Sequence, residues 1–565
     1  MNKPVSFYKQ ATFLALLTWC IYVLPIAAQS QTIGLFLNAP GSFNGYTLFN
    51  TLTSRTTYLI DHNGLLVNSW QSDFVIGNSQ YLLENGNLLR TADPGGNNVI
   101  AAGGDAGRVE EFDWEGNLFW EFEYNSPQFR AHHDIAPLPN GNVLMIAWER
   151  KTVSEAIAAG RNPAQLENNG LWPEHIIEVE PNGASGGNIV WEWHVWDHLI
   201  QDFDSTKANF GVIEDHPELI DINFLQSPGA DWLHFNAIDY NPELDQILVN
   251  SPFFGEFWII DHSTTIEEAA GHSGGNSGKG GDILYRWGNP QAYRAGFATD
   301  KQLFNQHDAQ WIDAGLPGAG NILVFNNGAG RPGGNFSSID EITPPIDSTG
   351  NYSSPAGAAY GPNEPTWRYT APNPSLFFAN FISGAQRLPN GNTLICDGPA
   401  GRFFEVTETG ETVWIYVNPV AASGPLTQGN PIINNANLTF RTTRYAPEYP
   451  GLAGQDLTPG DPIEIIPVGI EDVAGEIPAQ FALQQNFPNP FNPSTTIKFD
   501  VARTGVVTIN IYNLLGQKIT SIFSEIVNPG SYEIQFEASG LKSGVYFYTL
   551  TAGNFHATRK MVVIR

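Results

Sequence analysis

One unit recurs along this chain, and it limits the fold more than any other feature. A polar residue opens a short strand, a turn follows, and a second strand runs back. This half-unit begins at Asn78 ("NSQYLLENGNLLRTA"), His133 ("HDIAPLPNGNVLMIA"), His234 ("HFNAIDYNPELDQILVN"), His307 ("HDAQWIDAGLPGAGNILVFN") and Ser383 ("SGAQRLPNGNTLICD"). After each come a strand ending in an acidic or turn residue and a strand carrying tryptophan, as in "RVEEFDWEGNLFWEFEY" and "RFFEVTETGETVWIYV". Four short antiparallel strands per repeat are the mark of a propeller blade. Five units are complete. Near the N-terminus, "GYTLFN", "TTYLIDHNG" and "LLVNSW" supply three strands without a first, and "LTFRTTRYAPEYPG" (Leu438–Gly451) can provide it. A blade shared between the two ends closes the ring and leaves no exposed edge. The expected fold is all-β, a six-bladed β-propeller over residues 29–455. Uneven unit lengths leave five or seven blades open.

The flanks read differently. Residues 1–28 have the charge, apolar core and small-residue end of a secretory signal peptide, and no later stretch is long and apolar enough to cross a membrane. Once Cys20 leaves with the signal, Cys396 remains alone, so no internal disulfide can form. Residues 456–480 are rich in Pro, Gly and Glu and read as a linker. Residues 481–565 return to alternating strands, as in "TTIKFDV" and "GVYFYTLTA", and are expected to form a small Ig-like β-sandwich. The net charge of −30 argues against nucleic acid and anionic membranes as partners.

In a propeller the first strand of each blade lines the central channel, so its entry residues converge on the axis. Asn78, His133, His234, His307 and Ser383 occupy this position, and three of the five are histidine in a chain with only 12 histidines. His132 alternates away and is expected to face the neighbouring blade. Three imidazoles on one axis suit either a metal such as zinc with a position left for water, or divided nucleophilic and acid–base work. Residue type alone does not choose.

Two resemblances extend this reading. The tail, through "LQQNFPNPFNPSTTIKF", "IYNLLGQKI", "GLKSGVYFYTL" and the terminal "RKMVVIR", resembles the C-terminal sorting domain of type IX secretion. That implies export through the periplasm to the cell surface or medium, with the type IX machinery as partner. Residues 32–451, through "HDIAPLPNGNVL", "DWLHFNAIDY", "QHDAQWID", "GNILVFNNGAGR" and "FRTTRYAPEYPGL", resemble the bacterial arylsulfate sulfotransferase family. The resemblance implies a six-bladed fold that moves a sulfuryl group from an aryl sulfate to a phenol through a sulfated histidine. It implies no cofactor, metal or adenylated donor. By motif, His307 is the implied nucleophile and His133 the acid–base. His234 and Asn236, placed on one face by strand alternation, would hold the sulfuryl oxygens.

One departure is plain. The family carries a sulfate-binding arginine in the strand after the "HFN" segment. Here that stretch is "ILVNSPFFGEFWIID", without Lys or Arg, and Pro252, Phe253 and Phe254 fill it. Arg331 of "NNGAGR" is the candidate substitute. The alternative function is therefore a non-catalytic secreted propeller that binds carbohydrate or protein; a histidine–metal hydrolase or lyase is third. Other motifs carry less. "HVWDH" (His194–His198) has metal-like i,i+4 spacing only if helical, and at a strand end one histidine alone would face a site. "GASGG" lies in a turn, and "GGNSGKGG" lacks the phosphate-loop spacing and reads as a loop.

Overall fold

The computed structural model describes residues 31–564 except 226–228, 348, 354–356, 467–470, 474–477, 479, 504, 528, 539–540 and 554; the signal-peptide reading lies outside them. The chain divides into two compact units, one over Gln31–Ile466 and one containing Pro467–Arg565.

Among the described residues the first unit is built chiefly from six antiparallel sheets of four or five strands, beside two two-stranded pairs, one of them parallel. Sheet I holds Val75–Leu82, Leu88–Asp93, Arg108–Phe112 and Leu118–Glu123, in that order. Sheets II, III, IV and V begin at Phe129–Pro137, Ala237–Asn241, His307–Trp311 and Gly384–Arg387. Sheet V gains an edge strand, Gly34–Asn38, from the N-terminal side. In sheet VI the late strand Thr442–Tyr445 pairs with Tyr46–Asn50, followed by Thr56–Ile60 and Leu66–Gln71, so the two ends of the unit share one sheet.

Two repeated contacts explain the repeated sequence. The fourth-strand tryptophan of each sheet donates its indole N–H to a backbone carbonyl belonging to the next: Trp70 to Asp113, Trp120 to Gly186, Trp193 to Gly281, Trp287 to Pro362, Trp367 to Glu408 and Trp414 to His62. Followed in order, these bonds run from sheet VI through I to V and return to VI. Within a sheet, a third-strand glutamate accepts the turn asparagine: Glu111 from Asn87, Glu178 from Asn142, Glu341 from Asn321 and Glu405 from Asn392. The glutamate thereby ties the first turn to the third strand. Apolar burial lies mainly between neighbouring sheets. One cluster joins Leu89 and Trp120 to Met145 and Ile177, another joins Leu323 and Phe325 to Ile395 and Phe404. The architecture is β-propeller-like, with its six first strands innermost.

Residues 456–466, read as linker, are held on this unit. The Gly460 N–H donates to the Leu66 carbonyl at 2.8 Å, and Ile463 is buried beside Phe49 and Trp414. The second unit is a two-sheet sandwich. Glu471–Val473, Gly530–Glu537, Ser494–Val501 and Ala482–Leu483 form one sheet; Lys518–Val527, Gly505–Tyr512, Gly544–Ala552 and Phe555–Val563 form the other. Ile497, Phe499 and Ile534 from one sheet pack with Val507, Ile509, Tyr548 and Leu550 from the other.

Candidate active site

The innermost strands do not enter the sheets regularly. Non-glycine residues with positive φ cluster at their entries: Asn78 (120°), His133 (48°), His234 (57°), Asp308 (54°), Ile382 (46°) and Ser383 (89°). Register shifts accompany them in sheets I, II and IV. Left-handed backbone is costly for such residues, above all for a β-branched isoleucine, and bulges re-aim side chains.

The strained entries gather the three imidazoles. The rings of His133 and His234 meet edge to face at 4.6 Å, and Phe440 lies 6.0 Å from His133 and 6.4 Å from His307. Gly104 closes over His133. Its carbonyl accepts the His133 N–H at 2.8 Å, and a Cβ there, at φ +84°, would stand 2.0 Å from the imidazole. Only glycine fits that approach.

Each imidazole has its own partner. His307 Nδ1 lies 2.9 Å from Asn327 Oδ1 and 3.1 Å from the Asn305 carbonyl. The Asn327 amide donates both hydrogens, to the carbonyls of Ala379 and Ile382. Its oxygen can therefore only accept, so Nδ1 of His307 carries the proton and Nε2 the lone pair. Nε2 accepts the Ile382 N–H at 3.2 Å. Burial, with the charges of His234 and Arg441, pushes this imidazole down to about 4 against the Asn327 hydrogen bond, so it is neutral at pH 7.

His234 differs. Burial alone would lower it, but Asp231, whose Oδ2 is 2.5 Å from Nδ1, and Glu174 outweigh burial and raise it. Phe253 stacks on its ring at 4.8 Å and is 39% exposed, marking the open side of the cluster. His133 is pushed well below the ordinary histidine value by burial and by the neighbouring imidazoles and Arg441. Its Nδ1 lies 2.9 Å from Nδ1 of His132, whose Nε2 is 2.7 Å from Glu174 Oε2. Burial pushes the Glu174 carboxyl well above its usual range.

Several expectations need correction. His132 does not turn away: the bulge and the positive φ at His133 break the alternation, and His132 stacks on Trp148 at 3.7 Å inside the cluster. Asn236 does not join it. Fully buried, it donates to the Gln306 carbonyl and accepts from Asn250, tying sheet III to the entry of sheet IV. Arg331 is not an axial cation either. It lies against Phe336 (4.3 Å) and donates to Ser338 on the third strand of its own sheet. The buried guanidinium near the axis is Arg441, paired with Asp134 and Asp308 and 3.1 Å from the Tyr81 hydroxyl. Asp308 thus faces Arg441 and leaves His307 to Asn327. A cavity of about 790 Å³ lies toward the far ends of the inner strands; Asp308 and Arg441 reach its wall and none of the three imidazoles does.

Sequence reasoning missed His132, Glu174, Asp231, Asn327 and Arg441. Three signals were present: the doubled histidine of "AHHD", the Asp three residues before His234 in "DWLHFN", and the arginine in "FRTTRY".

The arylsulfotransferase (ASST) family model matches residues 35–424, more than half of the chain. The chain belongs to the arylsulfotransferase family. A secretion system C-terminal sorting domain matches residues 485–564 and marks the protein for export to the cell surface or medium. No helix among the described residues is long and apolar enough to cross a membrane. No curated protein matches the chain in sequence. Solved structures similar to it include a protein of unknown function from Bacteroides caccae (12% identity, TM-score 0.38, covering 71% of this chain and 99% of that one). Others are a virginiamycin B lyase from Staphylococcus aureus (10%, 0.32, 69% and 85%) and a periplasmic gluconolactonase from Pseudomonas aeruginosa (9%, 0.29, 87% and 99%). Likeness at this level says nothing about activity.

Proposed function

We propose that this secreted arylsulfotransferase-like protein is a six-bladed enzyme that moves a sulfuryl group from an aryl sulfate to a phenol through His307. The observation that carries the reading is the state of His307: neutral, with Nδ1–H held by Asn327, the Nε2 lone pair meeting the Ile382 N–H, and the ring sharing Phe440 with His133. In the first half-reaction Nε2 attacks sulfur, the S–O bond to the donor breaks, and His133 gives its outer proton to the departing phenolate while taking one at Nδ1 from His132, which draws it in turn from the protonated Glu174. As sulfur arrives, the Ile382 N–H leaves Nε2 and turns to a sulfuryl oxygen. In the second half-reaction His133 takes the proton of the acceptor phenol, whose oxygen attacks sulfur and releases His307.

The missing arginine is offset by His234, whose protonated form Asp231 and Glu174 favour against burial, so that positive charge can meet the sulfuryl oxygens. Glu174 and His132 serve His133 as positioning residues. The test is incubation of the full chain with an aryl sulfate, rapid quenching and mass mapping. Sulfate on His307 is expected; sulfate on His133 or His234, or none with any aryl sulfate, overturns the reading. The second reading, a non-catalytic surface binder of carbohydrate or protein, draws on Phe253, an exposed aromatic face where the family resemblance expects a guanidinium.

A further inference from the structure

Away from the imidazole cluster, where the outer strand of sheet II meets the excursion between the third and fourth strands of sheet III, three ligand-type side chains converge. His198 ends a short 3-10 turn, Val195–His198; His272 follows the helix Ile266–Ala269; Asp282 lies just before Tyr285–Trp287. Nδ1 of His198 is 2.9 Å and Nδ1 of His272 2.7 Å from the same oxygen, Oδ1 of Asp282. One ligand atom from each of the three lies within 4.8 Å of the others. The i,i+4 reading of "HVWDH" fails here: His194 turns instead to Glu149, and His198 finds its partners at Ala269 and Asp282, on either side of His272 in the chain.

The proton positions give the cluster its meaning. His198 Nε2 is 2.8 Å from the Ala269 carbonyl, which can only accept, so Nε2 carries hydrogen. A neutral His198 then presents a bare Nδ1 lone pair to a carboxylate oxygen, two acceptors facing each other at the completely buried face of Trp193. A cation between them removes the conflict. An imidazole whose outer N–H is fixed by a backbone carbonyl is also the oriented form that ligates metal. Two imidazole nitrogens and one carboxylate, with an open side at the 61% exposed His272, match the three protein ligands and one water of a tetrahedral zinc site. The present spacings are those of hydrogen bonds; admitting the ion asks the ligand atoms to part by about half an ångström. His272, on an exposed loop, supplies that movement.

We propose that His198, His272 and Asp282 form a zinc site that fastens the 262–282 excursion of sheet III to the outer strand of sheet II. Loading releases whatever protons the two Nδ1 atoms hold, and the ion changes no oxidation state.

The test uses the full chain, stripped with a chelator and titrated with Zn²⁺, and with Co²⁺ for its visible tetrahedral bands. Wild type is expected to take up one ion at micromolar Zn²⁺ with the cobalt spectrum of a mixed N/O site, and to melt at a higher temperature when loaded. His272→Ala, at an exposed position that does not disturb the core, should weaken binding by about 100-fold or more and abolish the thermal shift. Asp282→Asn should do the same. Because the axial imidazoles also offer nitrogen ligands, His133→Ala is the control and should leave this ion in place. The proposal is overturned if wild type takes up no zinc, in which case the cluster is an imidazolium–carboxylate pair. It is equally overturned if His272→Ala binds as wild type does, or if the ion is lost with His133 instead.

Discussion

Glu174→Gln disables both halves of the proposed reaction. Glu174 Oε1 accepts the Phe235 N–H at 2.8 Å, and Oε2 stands 2.7 Å from His132 Nε2, whose Nδ1 is 2.9 Å from Nδ1 of His133. In this chain of contacts one proton position dictates the next. With Glu174 ionised, His132 donates from Nε2 and accepts at Nδ1 from His133, whose outer nitrogen is then a base. With Glu174 protonated, which burial favours, every bond reverses and the outer nitrogen of His133 carries a proton to give. Glutamine has the same shape but one arrangement. Its oxygen must stay with the Phe235 N–H, so its NH₂ faces His132 and holds His133 in the donating form. Phenol release from the donor should therefore lose its acid, because an amide has no proton to send through His132 as His133 gives its own, and transfer to the acceptor loses its base. Loss of a general acid or base costs about 10²–10⁴-fold, roughly 3–5 kcal/mol of barrier. Stopped-flow recording of a chromogenic phenol should show the burst and the steady state both slowed, with the slowing of the burst shrinking for donors whose phenols are more acidic and leave without help. A burst at the wild-type rate with a poorly leaving phenol, or unchanged turnover, would refute the relay.

Three further outcomes follow from the charges and the units. Arg441→Met leaves the buried Asp134 and Asp308 carboxylates facing each other, which should cost about 3–5 kcal/mol in urea unfolding at neutral pH. The loss should shrink as pH falls and those carboxylates take up protons, and Asp134→Asn with Asp308→Asn should recover most of it. The raised His234 adds stability that is complete below the ordinary histidine value of 6.5 and is lost as pH rises through its folded value; Asp231→Asn should flatten that part of the stability–pH curve. Deleting residues 481–565 should leave the thermal midpoint of the Gln31–Ile466 unit unchanged, since the units have separate cores, and should retain the protein in the periplasm on fractionation.

The fold was legible because its structural devices recur, one in all six sheets and the other in four. Tryptophan on the fourth strand bridges to the next sheet, and asparagine in the first turn meets glutamate on the third strand. Each keeps its residues at the same place in the order of strands and turns, although the spacing between them varies, so repetition exposes it. The site was legible only in outline. His133, His234 and His307 could be picked out as candidates because equivalent repeats carry them at equivalent positions, and their rings lie close together or share Phe440. Their partners could not be picked out, because strand alternation holds only where the backbone is regular. At His133 it is not, and His132 falls on the same side; after the positive φ of His234 the chain turns, and Asn236 leaves the cluster. Asn327, Glu174 and Arg441 reach the axis from second strands, third strands and the closing segment, at offsets that no single repeat defines.

Phe253 is where the catalytic and binding readings part, and Phe253→Arg tests them on one chain. The ring stacks on His234 at 4.8 Å and is 39% exposed, so a longer, charged side chain can be accommodated without opening the core. Two effects then compete. A guanidinium there offers the sulfuryl group a bidentate partner that an imidazolium cannot match. The same charge, a few ångströms from His234, repels its proton and undoes part of what Asp231 supplies. If sulfuryl transfer is the native chemistry, the bidentate contact is made to a group that carries more charge in the transition state, whereas the loss falls on an imidazole that still keeps its Asp231 partner. Aryl sulfate turnover should rise by about tenfold, within the 1.5–3 kcal/mol of a charge-assisted bond less the repulsion, and its pH optimum should broaden upward because arginine does not titrate. If the exposed ring is itself the recognition element, the variant gains no turnover and loses carbohydrate or protein binding instead. A variant that turns over aryl sulfate at the wild-type rate with an unchanged pH profile would show that charge at this position does not act on the reacting group, and the role assigned to His234 would fall with it.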